Sequence, residues 1–137
     1  PLLSAQIYDD LGREGEATAL RRRGVQLAEQ RLARSPDDTR ALYCGANGLV
    51  ALGEIEKGLE WARRAREHGP EEPMLLYNLA CIHALAGEGE TALDCLEGSV
   101  ARGFEFREWI EGDSNLDSIR EHPRFAAVLA RLDGPGS

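Results

Sequence analysis

The feature that most constrains this chain is an internal repeat of 34 residues. Placing Gly53 over Gly87 superposes two segments without a gap. Leu42 then aligns with Leu76, Tyr43 with Tyr77, Ala46 with Ala80, Leu49 with His83, Leu59 with Leu93 and Ala62 with Leu96. A period of this size means that each unit is one supersecondary element. Such a unit cannot bury its apolar face alone, and stacked neighbours must cover it. A third copy lies upstream, where Leu11–Ala17 matches Leu52–Gly58. Gly12 and Gly53 are 41 positions apart, seven more than the repeat. Seven residues are about two helical turns, so the second helix of that copy is expected to be longer by roughly 10 Å. A heptad insertion keeps the same face inward.

Each copy reads as helix, short turn, helix. Leu76, Leu79, Ala80 and His83 fall at i, i+3, i+4 and i+7, one helical stripe. Gly87 is placed to end that helix in a left-handed conformation. The next helix turns Ala92, Leu93, Leu96 and Val100 inward. Ala46, Ala80, Ala62, Ala65 and Ala92 sit where paired helices approach closely, and Pro36 and Pro70 follow the second helices and stop them. No stretch alternates with period two, so no sheet is expected.

These residues carry a family resemblance. Leu76-Tyr77-Asn78-Leu79-Ala80, Gly87, Ala92-Leu93 and Leu96 make the segment from Pro73 similar to the tetratricopeptide repeat, and the copy from Thr39 follows it. Gly45 and Gly58 depart from the pattern, which there has larger residues or Ala. The resemblance implies an all-α, right-handed α-solenoid of about three helix pairs over 1–103, divided 1–38 (truncated and extended), 39–72 and 73–103. Residues 104–132 look like the helical cap that closes such arrays in many bacterial signalling and regulatory proteins. A last repeat exposes an apolar face that must be covered. Phe104, Phe106, Trp109 and Ile110 with Phe125, Val128, Leu129 and Leu132 are the expected cover, and Pro123 suits the first turn of the last helix. A disordered tail is expected over 133–137. The chain begins at Pro1 without an initiator Met, so it is expected to be processed or cut from something longer.

Charge narrows the partner. Acidic residues number 24 against 16 basic, a net charge of −8. A phosphate backbone would be repelled, which excludes a general nucleic-acid binder. An anionic membrane surface is disfavoured for the same reason, and no apolar run approaches the roughly 20 residues that span a bilayer. From Glu88 to Glu121 there are ten acidic residues against Arg102, Arg107 and Arg120. That composition favours a basic or neutral protein or peptide, although a charge run is more often only a solvated face. Cys44, Cys81 and Cys95 are an odd set without paired spacing. They read as free thiols, hence a reducing compartment, the cytoplasm.

Chemistry is sparse. His68, His83 and His122 are far apart in sequence, and His83 reads as a satisfied core residue rather than a ligand. The cysteines read as small apolar fillers, since zinc would need three or four convergent ligands. Gly112-Asp113-Ser114-Asn115 is similar to the nucleophile block of one esterase class, but that chemistry needs a strand and distant partners. Asp113, Asn115 and Asp117 mimic the start of a calcium loop, yet Ser118 stands where Gly is required and Arg124 where the bidentate Glu belongs. A capped turn is the simpler reading. No phosphate-cradling loop is present. No enzyme, no cofactor and no metal are expected.

The resemblance implies instead a concave groove lined by the first helix of each pair. By position, the exposed residues there are Arg40, Tyr43, Cys44, Asn47 and Val50, then Met74, Tyr77, Asn78, Cys81 and Leu85. The expected peptide-binding set is Arg40, Tyr43, Asn47, Met74, Tyr77, Asn78 and Cys81. Asn47 and Asn78 offer both a donor and an acceptor to a ligand backbone. Tyr43 and Tyr77 offer flat area with a polar tip. A subclass that clamps a terminal carboxylate is matched only at Asn47 and Asn78, because Tyr43 and Met74 stand where lysines are needed. The function implied is a non-enzymatic interaction module that binds a peptide or partner helix, one part of a larger bacterial regulatory or signalling protein. The runner-up is a structural module that forms a homodimer through the apolar face of its N-terminal repeat.

Overall fold

Asp38 starts the first helix pair. Its side chain accepts from the Ala41 amide at 3.0 Å, which satisfies a donor left over at a helix start. In the computed structural model the helix that follows, α2, runs Thr39–Ala51, and α3 runs Ile55–His68. Between them Gly53 takes φ +92°, a conformation that costs a residue with a Cβ. The Gly53 and Glu54 amides donate back to the Val50 and Leu49 carbonyls, which closes the end of α2. The second pair repeats this. Pro73 opens α4 (Pro73–Leu85), Gly87 takes φ +82°, and α5 spans Gly89–Ala101. The structure describes residues 2–68 and 72–133, with side chains from Gly15 onward except that of Asp133. Pro70 and the tail after Asp133 therefore lie outside the described residues.

Tight contact explains the two glycines that depart from the repeat pattern. A Cβ on Gly45 would collide with the ring of Trp61. A Cβ on Gly58 would stand 2.5 Å from a Val50 methyl and 3.0 Å from the Ala46 carbonyl. The five alanines named for close approach are all fully buried. So the α2–α3 interface is closer than side chains at these positions would allow.

The first expected pair is a single helix. α1 runs Leu2–Arg34 without a turn at Gly12 or Gly15. A helical glycine costs only about 1 kcal/mol against Ala, which does not end a helix by itself. In the later pairs the glycine follows an apolar stripe that the returning helix covers. Among the described side chains of α1 the buried ones are Val25, Ala28 and Leu32, toward its C-terminal end where α2 packs. Two helix pairs are thus flanked by one long helix and by the C-terminal segment.

That segment holds α6 (Arg107–Gly112), a 3₁₀ helix (Ser114–Ile119) and α7 (Pro123–Asp133). Phe104, Ile110, Phe125 and Val128 are buried as expected, and Leu129 and Leu132 pack partly. Phe106 and Trp109 cover only the edge of Phe104 and remain 53% and 50% exposed. Leu116 and Ile119 of the 3₁₀ helix take the buried places instead. The 3₁₀ helix lies on α4, where Ser118 donates to the Ala84 carbonyl at 3.0 Å. α7 lies on α5, where Arg124 reaches Glu90 at 2.8 Å, Asp94 at 2.6 Å and Glu97 at 2.7 Å. Of these carboxylates, Glu97 and then Asp94 raise the Arg124 pKa. Arg120 donates to the carbonyls of Ile110 and Asp113 and lies over the Phe125 ring.

All described residues are helix, turn or coil, with no strand, and the buried side chains form one core from α1 to α7. Among them no helix is long and apolar enough to cross a membrane.

Candidate functional site

One candidate surface begins at the start of α2. Arg31 of α1 donates to Asp38 at 2.8 Å, so one carboxylate caps α2 and ties it to α1. That bond, with the Ala41 amide, holds the Asp38 carboxyl below its ordinary range. Arg40, Tyr43, Cys44 and Asn47 follow at i, i+3, i+4 and i+7, on one helical face. Arg40 is exposed, while Tyr43 and Asn47 are half-buried. Partial desolvation raises the Tyr43 phenol and also the Cys44 thiol, although Cys44 reaches solvent. Between α1 and α2 a cleft of about 390 Å³ opens, lined by Gly24, Leu27, Arg31, Asp38, Arg40 and Cys44. Nothing in the repeat pattern marks the α1 half of this wall, because a folded-back upstream pair would leave no long helix to form it.

On α4 the expected groove is filled by the chain itself. Tyr77 and Cys81 are each only 3% exposed. The Tyr77 hydroxyl donates to Asp113 at 2.7 Å and lies 3.3 Å from the Trp109 carbonyl. Its ring stacks on Phe104, centroids 4.4 Å apart and 11° from parallel. The Cys81 sulfur lies 3.5 Å from the same Asp113 oxygen. The other Asp113 oxygen accepts from the Asn115 amide at 3.0 Å. Burial, and then the Asp113 carboxylate, push the Tyr77 phenol and the Cys81 thiol far up. Tyr77 and Cys81 are therefore not groove residues here; they anchor the C-terminal segment. The physical reason is that the face a peptide would occupy is taken by Phe104 and Asp113.

The other expected residues divide. Met74 and Asn78 are half-buried, and the Asn78 side chain donates to the Met74 carbonyl at 2.8 Å. Its carbonyl oxygen and its second amide hydrogen are then left for a ligand. Val50 is buried against Gly58, and Leu85 is half-buried. The structure thus brings Arg40, Tyr43 and Asn47 together on α2. It separates them from Tyr77 and Cys81. In the Gly112–Asn115 segment Gly112 ends α6, Asp113 caps the 3₁₀ helix, and Ser114 and Asn115 open it.

The histidines do not converge. His83 is mostly buried and lies 2.8 Å from Glu88, at the rim of a second cavity of about 330 Å³ floored by Leu59, Ala62 and Leu79. His68 lies 3.7 Å from Asp37, and His122 lies 3.6 Å from Glu90. Among the described residues no three or more His, Cys, Asp or Glu side chains are grouped to hold a metal ion.

No family model matches the sequence, and no solved structure matches it. Among curated proteins the chain is similar to a chloroplastic protein of Arabidopsis thaliana, with 27% identity over 112 residues. The match covers 80% of this chain and 32% of that protein, so the chain spans about a third of the length of the curated relative it matches.

Proposed function

We propose that the chain is a non-enzymatic protein-interaction module of the tetratricopeptide type, a right-handed solenoid closed by its C-terminal helices and part of a larger regulatory protein. Two gap-free copies of the 34-residue pattern, each a helix pair turned at a positive-φ glycine, support the solenoid reading. The partner is a peptide or helix seated along α2, in the cleft against α1. The observation that carries this is the open cleft of about 390 Å³ bordered by Leu27, Arg40 and Cys44, beside Tyr43 and Asn47 on the same helix face. Its floor is apolar and its Arg31 is already paired with Asp38, so a neutral segment with an apolar face suits it best.

The test compares proteins captured by the wild type and by the triple variant Arg40→Ala, Tyr43→Ala, Asn47→Ala, both first shown to be helical. A partner kept by the wild type and lost by the variant supports the reading. Identical capture, or none, refutes it. A second reading, self-association, has one observation in its favour: Leu20 and Leu27 of α1 are 71% and 52% exposed. Sedimentation of the wild type against Leu20→Glu, Leu27→Glu decides it, since only a dimer through α1 loses mass in the variant.

A further inference from the structure

The C-terminal segment leaves an aromatic pair in solvent. The rings of Phe106 and Trp109 are stacked, centroids 5.0 Å apart and 23° from parallel, and half of each side chain is exposed. The pair is held from below. Phe104 meets Phe106 edge-on at 5.4 Å and Trp109 at 6.2 Å, and is itself buried on Tyr77. The rings are therefore set in place before any ligand arrives.

Their surroundings are acidic. Glu105 and Glu108 flank the pair, are exposed, and form no ion pair with any described residue. Between Glu105 and Glu111 the one cation is Arg107, whose guanidinium reaches Glu111 at 2.6 Å and the Leu129 carbonyl of α7 at 3.0 Å. A hollow of about 230 Å³ is lined by Glu105, Phe106, Glu108 and Trp109, and by Arg107, whose charge is already paired with Glu111.

Ring faces carry negative charge density and attract cations. A guanidinium is planar and weakly hydrated, so it stacks on such faces better than an ammonium does. Free carboxylates beside the rings add charge-assisted hydrogen bonds. An anionic ligand would be repelled, and a purely apolar one would desolvate two carboxylates without pairing them. Size selects the scale of the partner. Two half-exposed aromatic side chains offer on the order of 200 Å². A lasting contact between two folded chains buries about 800 Å² on each. The hollow fits one side chain of a peptide, not the face of a second copy.

We propose that Phe106 and Trp109, with Glu105 and Glu108, form a docking site for an arginine-bearing peptide segment of a partner protein. The guanidinium lies on the ring pair and bonds to the flanking carboxylates. This site is separate from the cleft between α1 and α2 and does not depend on it.

The experiment uses the full chain and three labelled Gly-Ser peptides of equal length, bearing arginines, lysines or glutamates, with binding read by fluorescence anisotropy. The arginine peptide binds saturably, the lysine peptide about threefold more weakly, and the glutamate peptide not at all. Phe106→Ala and Trp109→Ala, checked for helicity, each weaken the arginine peptide about five- to tenfold. Glu105→Gln, Glu108→Gln weakens it and flattens its salt dependence. Tyr43→Ala changes nothing, which separates this site from the α1–α2 cleft. Equal binding by wild type and both ring variants would mean diffuse attraction to an acidic protein and overturns the proposal. So does the absence of saturation. So does self-association of the wild type that Phe106→Ala abolishes, because the patch would then belong to a second copy.

Discussion

Asp113 is the residue on which the C-terminal segment turns. One oxygen receives the Tyr77 hydroxyl and faces the Cys81 thiol, and the other caps the 3₁₀ helix. Tyr77→Phe removes one bond and leaves a partly satisfied carboxylate, so a loss of about 1–2 kcal/mol is expected in urea unfolding. Alkaline pH acts on the same node. The ordinary values are 10.0 for Tyr77 and 9.0 for Cys81, and both are raised in the fold. The native state therefore keeps protons that the unfolded chain gives up, and stability falls as pH climbs past these ordinary values. The double variant Tyr77→Phe, Cys81→Ala should lose much of that slope, which unfolding at pH 8 and pH 10.5 would measure. Gly45 tests packing in the same way. Gly45→Ala drives a methyl into the buried Trp61 ring and should cost about 1–3 kcal/mol. The sequence showed Gly45 only as a departure from its repeat. The reason for it, an indole 16 residues away, is tertiary.

At the scale of elements, the helix ends were legible because they are local. Gly53 and Gly87 end helices through their own backbone freedom, and Pro73 and Pro123 begin helices where no amide donor is lost. The same local signs misled at Gly12 and Gly15. There the glycine-containing match predicted a turn, and α1 continues instead. The difference lies in what returns: a reversal holds only if a second helix packs on the first. Gly15 has no neighbour within 4 Å where a Cβ would stand. Gly15→Ala is expected to be neutral or to stabilise by up to about 1 kcal/mol, with a gain in helical circular dichroism. A loss of helicity would restore the turn. α7 offers a second test at this scale. Arg124 joins it to three carboxylates of α5, so Arg124→Ala should speed amide exchange in α7 and the 3₁₀ helix while α4 and α5 stay protected.

For the whole molecule, one continuous core joins α1 to α7, although only the middle of the chain folds as repeated helix pairs. A short array with a single core should unfold as a unit. Its two tryptophans stand far apart in the chain, Trp61 buried in α3 and Trp109 exposed in α6. Urea midpoints from far-ultraviolet circular dichroism and from tryptophan fluorescence should coincide. Two separate midpoints would show that the C-terminal segment melts alone. What the sequence by itself determined is the helical class, the two central pairs, their turns and their small-residue interface. Those depend on residues within a few positions of one another, whose periodicity and backbone preferences need no distant partner. Only the tertiary structure decided which face stays open. Tyr43 and Tyr77 hold equivalent repeat positions, yet Tyr43 borders open surface while Tyr77 lies beneath Phe104 and Asp113. Phe106 and Trp109 looked like cover and became surface for the same reason: a helical stripe specifies that a side chain is apolar, but a segment arriving from elsewhere in the chain determines whether anything lies against it.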